Sequence, residues 1–270
     1  MKKIKQINLA DHGVYPFSPK LIKRYDFENY TDINEPCFFW GGIGEINKIN
    51  NHKGLKILKF LTPSDCWMIN HITNSENLFI ISDPFIETDI NYNFVNLEFE
   101  FADFSIFKPN VLGDKIYCYM RDPLEFRKDI ISRIQTKINY EIIYGGENCD
   151  AKNYHSPSDL KTMYYDKCFL SINLSSKHGY TTVREMGCMG IKTIMHSPYN
   201  FPSVIQLDYY ERNFKGDGSS IKVDEDEIVE KINRESYNIG KVGISMNPHN
   251  INDEWLYVDF WEKKDYIRYK

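Results

Sequence analysis

Residues 175–194 read SSKHGYTTVREMGCMGIKTI, and the one acid among them, Glu185, lies between the loop SSKHGYTT and two glycines, Gly187 and Gly190. The apolar run CFLSIN precedes the stretch, and IKTIMHS closes it. A helix that begins just after a strand keeps its first turns near the strand's carboxyl end, where its free N–H groups and positive end receive phosphate oxygens. Lys177, His178, Gly179, Tyr180, Thr181 and Thr182 therefore form a candidate phosphate-binding loop. A carboxylate one turn further on suits two hydrogen bonds from a vicinal diol such as a ribose, so the pattern describes a site for a nucleoside diphosphate. The competing reading makes Glu185 a solvated helix residue paired with Arg184 or Lys192. Gly187 and Gly190 weigh against it, because glycine weakens a helix unless close packing or a helix end requires it.

A second group lies earlier. The run KIYCYM ends at Arg121, and Lys128 follows beside Arg127 in the first turns of the next helical pattern. Two cations at the carboxyl end of a strand offset the charge that develops on a departing diphosphate. The plainer reading is a charged helix face in which Asp122, Glu125 and Asp129 are the partners.

Composition bounds the class of protein. The 270 residues are 42% hydrophobic and 26% charged, and no apolar run approaches the roughly 20 residues of a membrane span. The opening MKKIKQINLADHG reaches polar residues before any apolar segment of signal-peptide length, so a cytoplasmic protein is expected. Six cysteines make no C-x-x-C pair, and His52, His71, His178 and His196 show no metal-ligand spacing. Neither a disulfide framework, a bound metal nor a cofactor is expected. A net charge of −5 provides no global attraction for nucleic acid, which leaves a local basic groove as the only route to one.

The elements that must position these residues alternate. Strand patterns at KIKQINL, 37–40, 55–61, 78–82 and 97–101 are separated by helix or loop patterns, including a helix in SDCWMINHITN capped by Ser64 or Asp65. The second half alternates more cleanly: strands at 115–120, 140–144 and 168–173, a helix opened by Pro123, a capped helix in SPSDLKTMYY, then helix TTVREMGCM and strand IKTIMHS. Such alternation predicts an α/β fold with parallel sheets and ligands at the strands' carboxyl ends. The interruption DFSIFKPNVLGD at 103–114 separates an N-terminal domain, 1–108, from a C-terminal one, 109–239. The aromatic tail within 240–270 is expected to pack back across the body.

Several segments, in order, resemble the GT-B glycosyltransferases of the retaining family-four type. DFSIFKP, with Asp103, Phe107 and Pro109, resembles the D-x-x-x-F-x-P segment between that family's acceptor and donor domains. YMRDPLEFRK resembles its Gly-Arg strand end and following Lys, with Met120 in place of Gly and two extra residues before Lys128. HGYTTVREMGCMGIKTI resembles its G-F-x-x-x-x-x-E-A-x-A-x-G-x-P-V-I element. The family carries a further Glu eight residues before the ribose-binding one, where this chain has Lys177.

The resemblance implies two Rossmann-like domains facing a cleft, with a compact N-terminal half. It implies metal-independent, retaining transfer from a nucleotide sugar, UDP-linked by expectation, to a glycan or, as in small phage enzymes, a hydroxymethylated DNA base. Such a protein of viral origin works in the host cytoplasm. Arg121 and Lys128 would act on the diphosphate and Glu185 on the ribose, while Gly41, Gly42 and Asp65 are acceptor-side candidates. The alternative is a non-catalytic module of the same shape that binds a nucleotide or glycan.

Overall fold

The computed structural model describes residues 2–9, 25–41, 46–60, 69–81, 93–95, 102, 105–120, 122–124, 126–146, 156–175, 180–197, 202–212, 221–246 and 253–263. The chain divides into two compact units, Met1–Phe99 with Asn250–Lys270, and Glu100–His249.

The first unit is built on a parallel sheet of β1 (Gln6–Leu9), β2 (Glu28–Asn29), β3 (Cys37–Gly41), β4 (Lys56–Phe60), β5 (Leu78–Ile81) and β6 (Asn93–Val95), in the order β2-β1-β3-β4-β5-β6. Helix α1 (Ile46–Asn51) links β3 to β4. Cys37, Phe38 and Phe39 are fully buried, as is all of β5, because a parallel strand is covered on both faces and needs apolar side chains on both. The C-terminal segment closes this unit. Ile4 N donates to Leu256 O at 2.7 Å, Trp255 meets Tyr25 and Phe38 at ring distances of 5.2 and 5.5 Å, and Trp261 lies 5.9 Å from Phe79. The Trp261 indole donates to Trp255 O at 2.7 Å, which satisfies its one polar group inside the core.

The expected strand at 97–101 lies outside the described residues, while Asn93–Val95 pairs with β5. Residues 64–68 of the expected helix also lie outside them, and 69–71 form a single 3₁₀ turn.

A charge is buried at the amino edge of this sheet. Lys56, with no exposed surface, donates to Asn74 O at 2.9 Å and to His52 O at 3.4 Å. Burial pushes its ammonium down to about 8, against the pull of Glu76. His52 is equally buried, packs on Phe39 and has Tyr30 Oη 3.3 Å from Nδ1; burial and then Lys56 lower its pKa.

The second unit runs β7 (Lys115–Tyr119), α2 (Lys128–Gln135), β8 (Ile142–Gly145), α3 (Pro157–Met163), β9 (Cys168–Asn173), α4 (Tyr180–Met189), β10 (Lys192–Met195) and β11 (Val204–Gln206). The hairpin β12 (Tyr210–Arg212) and β13 (Ile221–Val223) and helix α5 (Glu225–Glu235) follow. Its five parallel strands stand in the order β11-β10-β9-β7-β8. Counted from each unit's own first strand, both sheets read second, first, third, fourth, fifth, and the sheet of the first unit adds a sixth. In both, the chain steps one way from the first strand to the second and the other way from the third onward.

Local chemistry sets the element ends. Ser156 and Asp159 form a capping box with Pro157 at the first position of α3, and Asp224 caps α5. Helix α2 opens at Lys128 and not at Pro123: Leu124 N donates to Asp122 Oδ1, Phe126 N to Asp122 O, and Arg127 sits in a left-handed conformation at φ 53°. Phe126 is buried against Tyr119 at 5.1 Å, and this anchor shapes the turn that delays the helix. The strand expected at 140–144 begins at Ile142, because the Gln135 side chain accepts from Ile142 N and donates to Tyr140 O. Cys37, Cys118, Cys168 and Cys188 are free and buried, and burial pushes the Cys118 and Cys168 thiols up to about 12.

Lys56 makes stability depend on alkaline pH. Between about 10.5, where a lysine titrates in the unfolded chain, and about 8, where Lys56 titrates in the fold, the unfolded state holds the extra proton. Stability of the first unit therefore rises with pH across that window, by up to on the order of 3 kcal/mol, and carries the full penalty below it. Lys56→Met abolishes this rise in urea denaturation; an unchanged pH slope in the variant would count against the buried charge.

Candidate functional site

Ligands of open parallel sheets bind outside the carboxyl ends of the strands, at the point where strand order reverses. In the second unit that point lies between β7 and β9, so the segments after Tyr119 and after Asn173 flank it. Asn173 Oδ1 accepts from Ser175 N at 3.0 Å and starts the loop that leads to α4.

The β12–β13 hairpin is tied to this edge at two points. Tyr210 Oη donates to Leu174 O at 3.1 Å, and its ring stacks on His196, just past β10, at 4.5 Å and 6°. Arg127, ahead of α2, donates to Ile221 O at 3.0 Å and grips Asp129 with two bonds of 2.8 and 2.6 Å. That grip holds Asp129 down to about 2, and burial lowers the His196 pKa. Sequence reasoning passed over Arg127 as a neighbour of Lys128 and gave no weight to Tyr210.

Glu185 occupies the second turn of α4 and is 2% exposed, which overturns its reading as a solvated helix residue. Lys192, offered there as a partner, pairs instead with Glu235 at 2.9 Å. Tyr165, in the short turn before β9, donates to Glu185 Oε2 at 2.8 Å. Its ring packs on Tyr117 at 5.1 Å and Phe107 at 5.8 Å. Burial first, and then the Glu185 charge for Tyr165 and that of Tyr119 and Glu185 for Tyr117, raise both phenols well above the usual tyrosine range. Nothing in YYDK marked Tyr165; it joins the site only because the chain returns to the sheet at that point.

Lys128 Nζ lies 5.2 Å from the Tyr144 ring on β8, the strand on the side of β7 away from β9. Thr181 and Thr182 are half-buried in the first turn of α4, which Tyr180 opens, and Gly41 ends β3. Arg121, Lys177, His178, Gly179, Gly42 and Asp65 lie outside the described residues.

The glycines after Glu185 answer to packing. Gly190 has φ +85° and ends α4, and a Cβ there would strike the backbone of Gly243 and Ile244. A Cβ at Gly243 would run into the Met189 carbonyl. Residues 243–246 therefore pass directly against the C-terminal end of α4. Met246 N donates to Gly187 O at 2.9 Å, while Gly243 N donates to Asn110 O and Leu112 N to Lys241 O. The segments by which the chain enters and leaves this unit are thus paired with each other and fastened to the end of the helix that carries Glu185.

Among the described residues no group of three or more His, Cys, Asp or Glu side chains comes together to hold a metal ion, and no helix is long and apolar enough to cross a membrane. No protein-family model matches the chain, and a comparison with curated proteins finds no match.

The glycine contacts give a graded prediction. Gly243→Ala and Gly190→Ala each force backbone apart and destabilise by about 2–3 kcal/mol, whereas Gly240→Ala, at φ +76° with open space around it, costs only about 1 kcal/mol. Thermal unfolding of the three variants checks the order; equal losses would contradict the close approach.

Proposed function

We propose that the protein is a glycosyltransferase that moves a sugar from a nucleotide-sugar donor, UDP-linked in the first instance, to an acceptor hydroxyl. The reversal of strand order at β7 and β9 carries this reading, because the segments that leave those two strands hold the residues that resemble a donor site. In this reading the diphosphate lies at the start of α4, and Arg121 and Lys128 offset the charge of the departing nucleoside diphosphate. Lys128 leaves the Tyr144 ring to do so, giving up a contact worth about 0.5–1 kcal/mol at an exposed site. Glu185 holds the ribose. The bond from the sugar's anomeric carbon to the diphosphate oxygen breaks, a bond from that carbon to the acceptor oxygen forms with retention, and the proton of the acceptor hydroxyl passes to the departing diphosphate or to water. A glycan or a hydroxymethylated DNA base supplies that hydroxyl. The cations and the helix end supply the electrostatic stabilisation without a metal ion.

The burial of Glu185 favours a second reading. A carboxylate whose Oε2 already accepts from Tyr165 at 2.8 Å helps to hold α4 in place with no ligand at all, as in a module that binds a nucleotide or glycan without turnover.

Titration calorimetry with a panel of nucleoside diphosphates and nucleotide sugars, followed by transfer assays, separates the two. The enzyme reading expects base-selective binding, weakened about tenfold or more by Glu185→Gln, and a transfer rate that falls on the order of a hundredfold in Arg121→Ala. Binding with no turnover of any nucleotide sugar establishes a nucleotide-binding module, and the absence of all binding removes the enzyme reading and leaves the glycan-binding module.

A further inference from the structure

The exits of three strands at the carboxyl edge of the second unit are held by one hairpin. Tyr210, at the start of β12, donates to Leu174 O at 3.1 Å just past β9, and its ring stacks on His196 just past β10. Ile221 O, at the start of β13, accepts from Arg127 at 3.0 Å in the segment that follows β7. Tyr210 stands opposite Val223 and Ile221 opposite Arg212, so the two tethers sit at opposite ends of the paired stretch, about 7 Å apart along it. The reversal of strand order lies between β7 and β9, and the hairpin spans it from one flank to the other.

Both flanks and the hairpin itself are fixed. Glu227 of α5 accepts from Asp208 N and Tyr209 N at 2.7 and 3.2 Å on the way into β12, and β13 runs directly into the Asp224 cap of α5. Leu174 has no exposed surface, and the next amide, Ser175 N, donates to Asn173 Oδ1, so the chain leaves β9 with a carbonyl and an amide both held. On the other flank the Arg127 side chain is 13% exposed, and its grip on Asp129 aims it. The ion pairs Arg133–Glu225 and Lys137–Asp226 also join α2 to α5, but each through an exposed side chain, where such pairs hold little.

We infer that the β12–β13 hairpin is a strap across this edge, and that Tyr210 and Arg127 are positioning residues which set the spacing of the two flanking segments for a nucleoside diphosphate. This rests on the reading of the edge as a nucleotide-sugar site and adds the residues that hold its two sides in register. Each acts on backbone, Tyr210 through the Leu174 carbonyl and Arg127 through that of Ile221. Loss of either tether frees the same strap, so a second loss adds little.

Amide hydrogen exchange tests the strap without a ligand. Tyr210→Phe keeps the ring against His196 and removes only the hydroxyl that bonds Leu174 O. Arg127→Gly suits the left-handed conformation at φ 53° and removes the guanidinium that bonds Ile221 O. Exchange at Ser175 quickens about fivefold in both variants, while the amides of Tyr117 and Leu170 within the sheet keep their wild-type rates. An unchanged rate at Ser175 in Arg127→Gly, whose change lies on the opposite flank, overturns the strap. Titration calorimetry with UDP, ADP, GDP and CDP tests its role in binding. Each variant binds the best ligand about fivefold to tenfold more weakly, and the double variant is at most about twofold worse than either. A double loss equal to the product of the single losses overturns the shared strap and makes Arg127 an independent charge at the site. Unchanged affinity in a variant with fast Ser175 exchange overturns the role in binding. Failure of the wild-type protein to bind any diphosphate removes the reading of the edge as a nucleotide site, and that role with it, while the exchange rates still decide the strap. Should Arg127→Gly fail to fold, Arg127→Met takes its place.

Discussion

Parallel strands cannot be joined by a tight turn. Each return crosses a face of the sheet, and a sheet so built must be covered on both faces. Most of what is seen in the second unit follows from that requirement. Strand β9 is buried at every position, and α4, which leaves it, is buried from Val183 to Met189. A helix enclosed to that degree can keep a charged residue only where polar partners meet it, and Tyr165 meets Glu185 from the turn that begins the same strand. The reversal of strand order then falls between β7 and β9, the place at which sheets of this kind bind their ligands.

Enclosure of α4 also explains its glycines. Segment 240–246 passes so close to the helix end that side chains at Gly190 and Gly243 would collide with backbone. These residues belong to packing first. Their presence near Glu185 supports a ligand site only indirectly, through the helix position that they secure. The first unit handles enclosure with different residues. Lys56 remains buried by donating to two carbonyls, at a cost that appears in its lowered pKa, and Gln6 accepts from Thr31 N and Asp32 N while donating to Asp32 O. In both units the buried polar groups tie loops to strand ends, where backbone groups would otherwise lack partners.

Sequence patterning alone determined that the chain alternates strand and helix. CFLSIN was legible as a strand to the residue because six apolar or small residues form a doubly buried run, and SPSDL as a helix start because its capping box is local. The same reading placed Glu185 on the helix that follows β9. Tertiary structure decided the rest. Pro123 does not open α2, since buried Phe126 holds a turn there; Glu185 is enclosed and bonded to Tyr165, twenty residues away in sequence; and Lys128 rests on Tyr144, not toward β9. The division has a physical cause. Capping, turn formation and hydrophobic period act over a few neighbouring residues and are written in the order of the chain, whereas a partner for a buried charge is whichever group the fold brings to that depth.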